Sequence, residues 1–269
     1  MRAFLIWPLL VMLALPAWAD ARLTVLVDVL KLRESAFILR QEGLTYAADL
    51  DADMLNGQGG SSWQVQVDAI YDADRMVEAV RSALAGELEA EAVETVITFF
   101  ASELGQKIVT LENTARQAMS EGDVEEAARA RYAELADSDD SRLTQLTAFI
   151  ASGDMLNRNV TSALNSNYQF MRGLADGDVI EMTDEDILAD VANETEEITE
   201  DTTSWLYGFF LLAYHPLDDA EFESYLEFSE TEAGKALNRA LFDGFGVAYE
   251  DISYALGRAV ALNMTAEEL

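Results

Sequence analysis

Proline is almost absent from this chain, and its scarcity restricts the possible folds more than any other feature. The sequence contains three prolines, and two of them, Pro8 and Pro16, lie near the amino terminus. Only Pro216 remains in the rest of the chain. Proline is common in turns and interrupts helix interiors, so its scarcity beside abundant Ala, Leu and Glu favours helices almost throughout. We therefore predict an all-α fold, a multi-helix bundle.

Apolar residues at helical spacing, together with helix-capping residues, predict where the helices lie. The predicted helices are Leu23–Gln41, Ser62–Leu84, Glu89–Phe100, Glu103–Met119, Val124–Leu135, Leu143–Ala151, Asp154–Leu174, Asp184–Tyr214, Asp219–Phe228 and Glu232–Ala261. Three of the starts carry the pattern of a capping box, in which two side chains satisfy backbone N–H groups of the first turn. The predicted boxes are Ser61 with Gln64, Thr183 with Asp186, and Asp218 with Glu221.

The amino terminus has the pattern of a cleaved secretory signal peptide. Arg2 supplies a basic start, an apolar run covers Phe4–Leu15, and Pro16 precedes Ala17-Trp18-Ala19. Signal peptidase accepts small residues at such positions, so we predict cleavage after Ala19 and location in the periplasm or outside the cell. An uncleaved anchor is the alternative, although the run is shorter than the roughly 20 residues of a membrane-spanning helix. No Cys follows the run, which excludes lipoprotein attachment there.

The composition excludes several kinds of chemistry. The chain has no Cys, so disulfides, thiol catalysis and Cys-ligated metals are ruled out. It carries 50 Asp and Glu against 17 Lys and Arg, a formal net charge of −33. Such a surface repels nucleic acid and anionic lipid, so we expect no nucleic-acid partner and no stable membrane anchoring after signal cleavage. It would attract cationic partners or divalent ions, and a solvated acidic surface is the simplest interpretation.

Two stretches, "FFASELGQK" and "FSETEAGKA", have the same order of residue types at a constant offset of 129 residues. In each, an amphipathic helix ends in Phe, and a hydroxyl residue, Glu and Gly follow at matching positions. We predict a packed helix–turn–helix at both places, in which the hydroxyl residue caps the second helix. The glycine would allow close approach of a neighbouring backbone, and the Phe ring would fill the space beside the bend. The motif residues are Phe99, Ser102, Gly105, Phe228, Thr231 and Gly234.

The repeated motif predicts an internal duplication, so that the bundle consists of two related helical halves. The polar segment "ADSDDS", residues 136–141, is the best candidate for a junction between them. The predicted organisation is a signal peptide over residues 1–19, an N-terminal half over 20–137 and a C-terminal half over 138–269. We expect that the two halves are able to pack as one domain.

Both stretches resemble the motif aromatic–x–Ser/Thr–x–x–Gly–Gln/Lys of the bacterial family called domain of unknown function 2059. The resemblance covers residues 68–119 and, more loosely, 199–245. The family motif often has Pro directly after the Ser or Thr, where this chain has Glu103 and Glu232. Glu also suits a first helical position, where negative charge is favourable. The resemblance implies an exported, all-helical protein, and it implies no reaction because the family has no assigned activity.

No motif in the sequence predicts a reaction. His215 is the only histidine, and its position at the end of the apolar segment "WLYGFFLLAY" is typical of a helix-capping residue. Among the carboxylate clusters, "DLDAD" at Asp49–Asp53 faintly resembles a calcium loop. It fails the EF-hand pattern, since Met54 and Gly60 stand where that pattern needs Gly and Glu. We therefore assign no catalytic, metal-binding or cofactor-binding residue and expect no cofactor.

The function that these observations favour is non-enzymatic. We predict a periplasmic interaction or accessory protein that holds an unknown protein or peptide partner in an interhelical groove, and we assign no oligomeric state. The first alternative is a hydrolase that uses a carboxylate pair, with or without His215. The second is a protein that binds calcium or a cationic ligand through Asp49–Asp53. The apolar segment Trp205–Tyr214 is predicted to be a buried helix, or else to line a groove for peptide or lipid.

Overall fold

The computed structural model describes residues 14–267, with side-chain burial over residues 20–264, and all regular secondary structure in this range is helical. The predicted all-α class is therefore confirmed. The helices are α1 (Ala14–Val29), α2 (Leu32–Met54), α3 (Gly60–Ile70), α4 (Ala73–Glu87), α5 (Ala90–Phe100), α6 (Glu103–Met119), α7 (Gly122–Leu135), α8 (Ser141–Ser152), α9 (Met155–Ala175), α10 (Asp184–Asn193), α11 (Thr195–Ala213), α12 (Asp219–Glu230) and α13 (Glu232–Glu267).

Three of the predicted helices are each broken into two. The breaks lie at Lys31, at Asp72 and at Glu194. Lys31 adopts a left-handed conformation, with φ 50° and ψ 35°, and the Asp72 side chain accepts hydrogen bonds from the backbone N–H groups of Asp74 and Arg75. The sequence prediction missed these breaks because apolar spacing continues through them without Gly or Pro.

Two of the three predicted capping boxes are confirmed. Thr183 with Asp186 and Asp218 with Glu221 each exchange the two hydrogen bonds of a capping box. The prediction at Ser61 is wrong, because α3 begins at Gly60, two residues before the predicted start at Ser62, and Ser61 lies inside the helix. A residue inside the helix has helical backbone angles, and the cap position requires a residue just outside it.

The hydrophobic core is continuous and takes residues from both predicted halves. Leu26, Val80 and Ile108 from the first half and Leu146 and Leu256 from the second are almost fully buried in it. The longest helix, α13, packs along α4 of the first half as well as along α9. In turn, α6 and α7 pack along α11 of the second half. The helices of each predicted half therefore pack against helices of the other half.

An aromatic cluster occupies the part of the core where α8, α11 and α12 meet. Phe149 of α8 lies at its centre and is 2% exposed. Its ring centroid is 5.0–5.9 Å from those of four other rings. These rings belong to Phe210, Tyr214, Phe222 and Tyr225. The segment Trp205–Tyr214 supplies two of them, and its residues Leu206, Phe210, Ala213 and Tyr214 are buried.

The predicted signal peptide, residues 1–19, lies largely outside the described residues. Helix α1 begins within it at Ala14 and continues across the predicted cleavage site. Just beyond that site, Asp20 forms an ion pair with Arg81 of α4, and Arg22 forms one with Glu94 of α5. Over residues 14–267, no helix has both the length and the apolar character that crossing a bilayer requires.

Candidate functional site

The two repeated stretches have closely matching local geometry. Ser102 Oγ accepts a hydrogen bond from the backbone N–H of Gly105 at 3.0 Å. Thr231 Oγ1 accepts one from the backbone N–H of Gly234, also at 3.0 Å. Both hydroxyls also donate to the carbonyl three residues earlier at 2.6 Å. Ser102 and Thr231 are therefore the N-caps of α6 and α13, at matching bends.

The glycine of each stretch lies directly against the end of the preceding helix. A Cβ added to Gly105 would lie 2.3 Å from the carbonyl oxygen of Phe99. A Cβ added to Gly234 would lie 2.3 Å from the carbonyl oxygen of Phe228. Real Cβ atoms do not approach backbone atoms so closely, so each bend depends on a residue without a side chain.

The structure brings the two stretches into contact with each other. The rings of Phe99 and Phe228 stack with centroids 4.1 Å apart and planes 12° apart. Both rings also pack against Phe100, and the Phe99 ring stacks on Tyr225 as well. Sequence reasoning placed each ring beside its own bend and gave no sign that the bends meet. The two repeated stretches therefore form a contact between helices of the two predicted halves.

Next to this contact, three adjoining cavities form a cleft, which we call the interhelical cleft. It lies between α2 and α6 on one side and α9 and α13 on the other. The cavities have volumes of about 200, 300 and 320 Å³. The first and second share Ser35 and Glu112, and the second and third share Arg116 and Tyr249. Neighbouring cavities of the cleft therefore adjoin at shared side chains.

The middle cavity has one polar and one apolar wall. Helix α6 supplies the polar wall and α13 the apolar wall, and the wall residues correspond at the same offset of 129 residues. The polar wall is Glu112, Asn113 and Arg116, and the apolar wall is Leu241, Phe242 and Phe245. A cavity of this kind suits a ligand with a polar group on an apolar body.

Glu112 is the carboxyl group of the polar wall. Its Oε1 accepts hydrogen bonds from Tyr214 Oη at 2.6 Å and Tyr225 Oη at 3.1 Å. No hydrogen bond within the described part of the chain reaches its Oε2. Burial raises the pKa of Glu112, and the two tyrosine hydroxyls partly oppose that shift. Burial and the neighbouring carboxylate raise the pKa of both tyrosines well above the ordinary value.

Asn113 leaves a hydrogen-bond donor without a protein partner. Its Oδ1 accepts from Ser35 Oγ at 2.8 Å, and the side chain is almost fully buried. Its Nδ2 has no partner among the described residues. A buried donor left unpaired costs roughly 1–3 kcal/mol, and this atom is closed off from the cavity as well as from solvent. The unpaired polar atom that a ligand in the middle cavity can reach is therefore Oε2 of Glu112.

Arg116 is neutralised inside the cleft. Its guanidinium donates to both carboxylate oxygens of Glu42, at 2.7 and 2.6 Å, and lies 4.9 Å from the centre of the Trp205 ring. The charged groups that line the three cavities are Glu42, Arg116 and Glu112. Since the first two pair with each other, Glu112 is the one Asp, Glu, Lys or Arg side chain of these cavity walls without an ion-pair partner among the described residues.

The other candidates from the sequence lie elsewhere. His215 is exposed, beyond the end of α11, on a surface groove beside Arg142 and Leu212. The interpretation of Asp49–Asp53 as a loop is wrong, because these residues form the last turns of α2. Within residues 14–267, no three His, Asp or Glu side chains are placed to hold a metal ion.

Sequence reasoning did not identify Glu112, although a signal for it was present. Ile108, Ala115 and Met119 of α6 are buried and recur at helical spacing. Glu112 falls on the same stripe, four residues after the first of them and three before the second. A carboxylate on the buried face of a helix indicates a functional group or a compensated charge.

The fold and the cleft define an all-helical protein with an amphipathic internal cleft between two sets of helices. Residues 74–134 match the model of a family described as an uncharacterized protein conserved in bacteria, DUF2059. The matched segment covers α4 to α7 and contains the first repeated stretch, which supports the resemblance noted from the motif. Comparisons with curated proteins and with solved structures gave no significant match.

Replacing Glu112 by Gln is expected to change how stability depends on pH. Because folding raises the pKa of this carboxyl, the folded state binds more protons than the unfolded state between the two pKa values. Wild-type stability therefore falls as pH rises through that window, and the loss is complete above the folded pKa. Gln does not titrate, so the stability of Glu112→Gln relative to wild type should rise from acidic to neutral pH.

Chemical denaturation at a series of pH values measures this difference. The exposed Glu126 on α7 provides a matched control, since Glu126→Gln should keep a nearly constant offset from wild type. If the stability of Glu112→Gln relative to wild type stays constant or falls as pH rises, the result would contradict a raised pKa of Glu112 in the folded state.

Proposed function

We propose that this chain is an exported binding protein that holds its ligand in the interhelical cleft. One observation carries the proposal: Oε2 of Glu112, an acceptor with no hydrogen bond to the described residues, borders a cavity that three apolar side chains of α13 also line. A polar group on the wall of a largely apolar cavity can fix the orientation of a ligand. The cavities take a small molecule or one side chain of a partner, because none is large enough for a folded domain.

Binding rather than hydrolysis fits the charges of the cleft. A glycosidase-like mechanism needs two carboxyl groups able to act as acid and base or nucleophile. The cleft holds Glu112 and Glu42, and Glu42 is occupied by a two-pronged ion pair with Arg116. That leaves a single carboxyl group for chemistry, which supports a binding site over a carboxylate pair.

An internal duplication accounts for the architecture. The turns that precede α2 and α9 have nearly equal geometry, with φ 50° and ψ 35° at Lys31 and φ 52° and ψ 33° at Asp154. The caps at Ser102 and Thr231 agree as closely, with φ −70° and ψ 163° against φ −68° and ψ 159°. The two halves would then exchange their last helices, and the cleft would lie between equivalent faces of α6 and α13.

Export is expected to remove the first 19 residues. Mass spectrometry of the protein from a periplasmic fraction of bacteria that express the full sequence should give a chain that begins at Asp20. An Ala19→Leu variant should keep the precursor mass, since signal peptidase accepts small residues at that position. Ala21→Leu is the matched control and should be processed normally. Precursor mass for wild type, or normal processing of Ala19→Leu, would refute the predicted site.

Filling the cleft is expected to abolish ligand capture. Gly246 of α13 borders the middle cavity, and a Cβ there would meet no atom within 4 Å, so Gly246→Trp can direct its ring into open space. Gly86→Trp is the matched control, because Gly86 also has open space around it but lies on the exposed end of α4. A partner recovered from periplasmic extract with wild type and Gly86→Trp, and lost with Gly246→Trp, would support the proposal. Equal recovery with all three would refute it.

A further inference from the structure

We propose that the interhelical cleft recognises a primary ammonium group carried on an apolar stem, with the ammonium placed at Glu112. This inference rests on the proposed function, since it specifies what the same cleft binds. The shared chemistry has two sources, a lysine side chain of a partner or a free alkylamine.

The charge balance of the cleft indicates a cation. Glu42 and Arg116 cancel each other, and Glu112 has no ion-pair partner among the described residues. Both tyrosine hydroxyls donate to Oε1 of Glu112, which leaves Oε2 as the acceptor available from the cavity side. An ammonium at Oε2 would stabilise the ionised form of Glu112, which burial disfavours.

The wall opposite Glu112 suits the stem. Leu241, Phe242 and Phe245 line the middle cavity together with Glu112, and Phe209 borders the same space. Methylene groups gain free energy when they leave water for such a surface. The aromatic faces also attract a nearby cation through their quadrupole.

The surface next to the cleft also favours a cationic ligand. A surface groove adjoins the middle cavity and shares Phe242 and Gly246 with it. The charged side chains of this groove are three acids and one base. They are Asp154, Asp243, Glu250 and Arg158. With a net charge of −33 on the whole chain, the field around the entrance raises the local concentration of cations.

Titration with n-butylamine and n-butanol tests the inference, because the two probes share a stem and differ in the charged group. NMR chemical shifts of the protein, recorded after removal of the signal peptide, report where each probe binds. We expect n-butylamine to shift signals of α6 and α13 and to bind at least about tenfold more tightly than n-butanol, the contribution of a charge-assisted hydrogen bond. Glu112→Gln should remove that advantage, and Glu126→Gln should preserve it.

The outcomes separate the ligand class from the cleft itself. Equal binding of amine and alcohol that Gly246→Trp abolishes would refute the ammonium site and leave the binding cleft in place. No binding of n-butylamine would refute the ammonium site, and the Gly246→Trp recovery experiment tests the binding cleft independently. An amine preference that survives in folded Glu112→Gln would also refute the ammonium site. If Glu112→Gln does not fold, Gly246→Trp takes its place in the test. Binding of n-butylamine that persists in Gly246→Trp would then refute the ammonium site.

A third probe distinguishes the two sources. Nα-acetyl-lysine methylamide carries the same stem and ammonium on a peptide backbone. If it shifts the same signals and competes with n-butylamine, the cleft accepts a lysine side chain of a partner. If only n-butylamine binds, the cleft accepts a free amine.

Discussion

The Phe149→Ala variant is expected to lose about 4 kcal/mol of its free energy of unfolding, since large-to-small substitution of a buried Phe typically costs 3–5 kcal/mol. Phe149 is 2% exposed and contacts four aromatic rings from α11 and α12. Its removal would leave a cavity that these rings cannot fill, because each is held by the others. Urea denaturation followed by circular dichroism measures the loss.

Phe37 of α2 is the matched control, because it is the same residue type and is 58% exposed. Phe37→Ala should change the free energy of unfolding by no more than about 0.5 kcal/mol. Similar losses at the two positions would mean that the aromatic cluster is not the stabilising contact between α8, α11 and α12. A loss below about 1 kcal/mol at Phe149 would contradict the packing described above.

Gly105→Ala and Gly234→Ala are each expected to lower the free energy of unfolding by about 1–3 kcal/mol, the range of overpacking substitutions. The added methyl would lie 2.3 Å from a backbone carbonyl oxygen at both positions. A backbone atom cannot rotate away as a flexible side chain can, so the helices that form the bend would have to separate. The stacked pair Phe99 and Phe228 would then lose its contact.

Gly86→Ala is the control for helix propensity. Gly86 lies near the end of α4 with open space around it, so Ala should stabilise by up to about 1 kcal/mol. Opposite signs at Gly86 and at the two motif glycines are the expected result, and similar losses at Gly105 and Gly234 would fit a duplicated motif. A neutral effect at either motif glycine would contradict the close approach at that bend.

The local features of the fold could be predicted because their causes lie within a few residues. Helix α6 has the predicted bounds, Glu103–Met119, since an apolar stripe and the cap at Ser102 both act within the segment. The capping boxes at Thr183 and Asp218 depend on side chains only three residues apart. The break at Lys31 was missed because a left-handed Lys has no favourable local signal and depends on packing around it.

The sequence by itself determined the helical class, the acidic surface and the two glycine bends, because near-absent proline, net charge and short-range spacing are properties of the chain alone. Only the tertiary structure decided that the two bends stack on each other and that α6 faces α13 across a cleft. It also gave Glu112 its raised pKa and its two tyrosine donors, which come from helices about 100 residues away in the chain. Burial and partners of this kind depend on which distant helices pack together. The spacing of residues within one helix does not indicate which helices will pack against it.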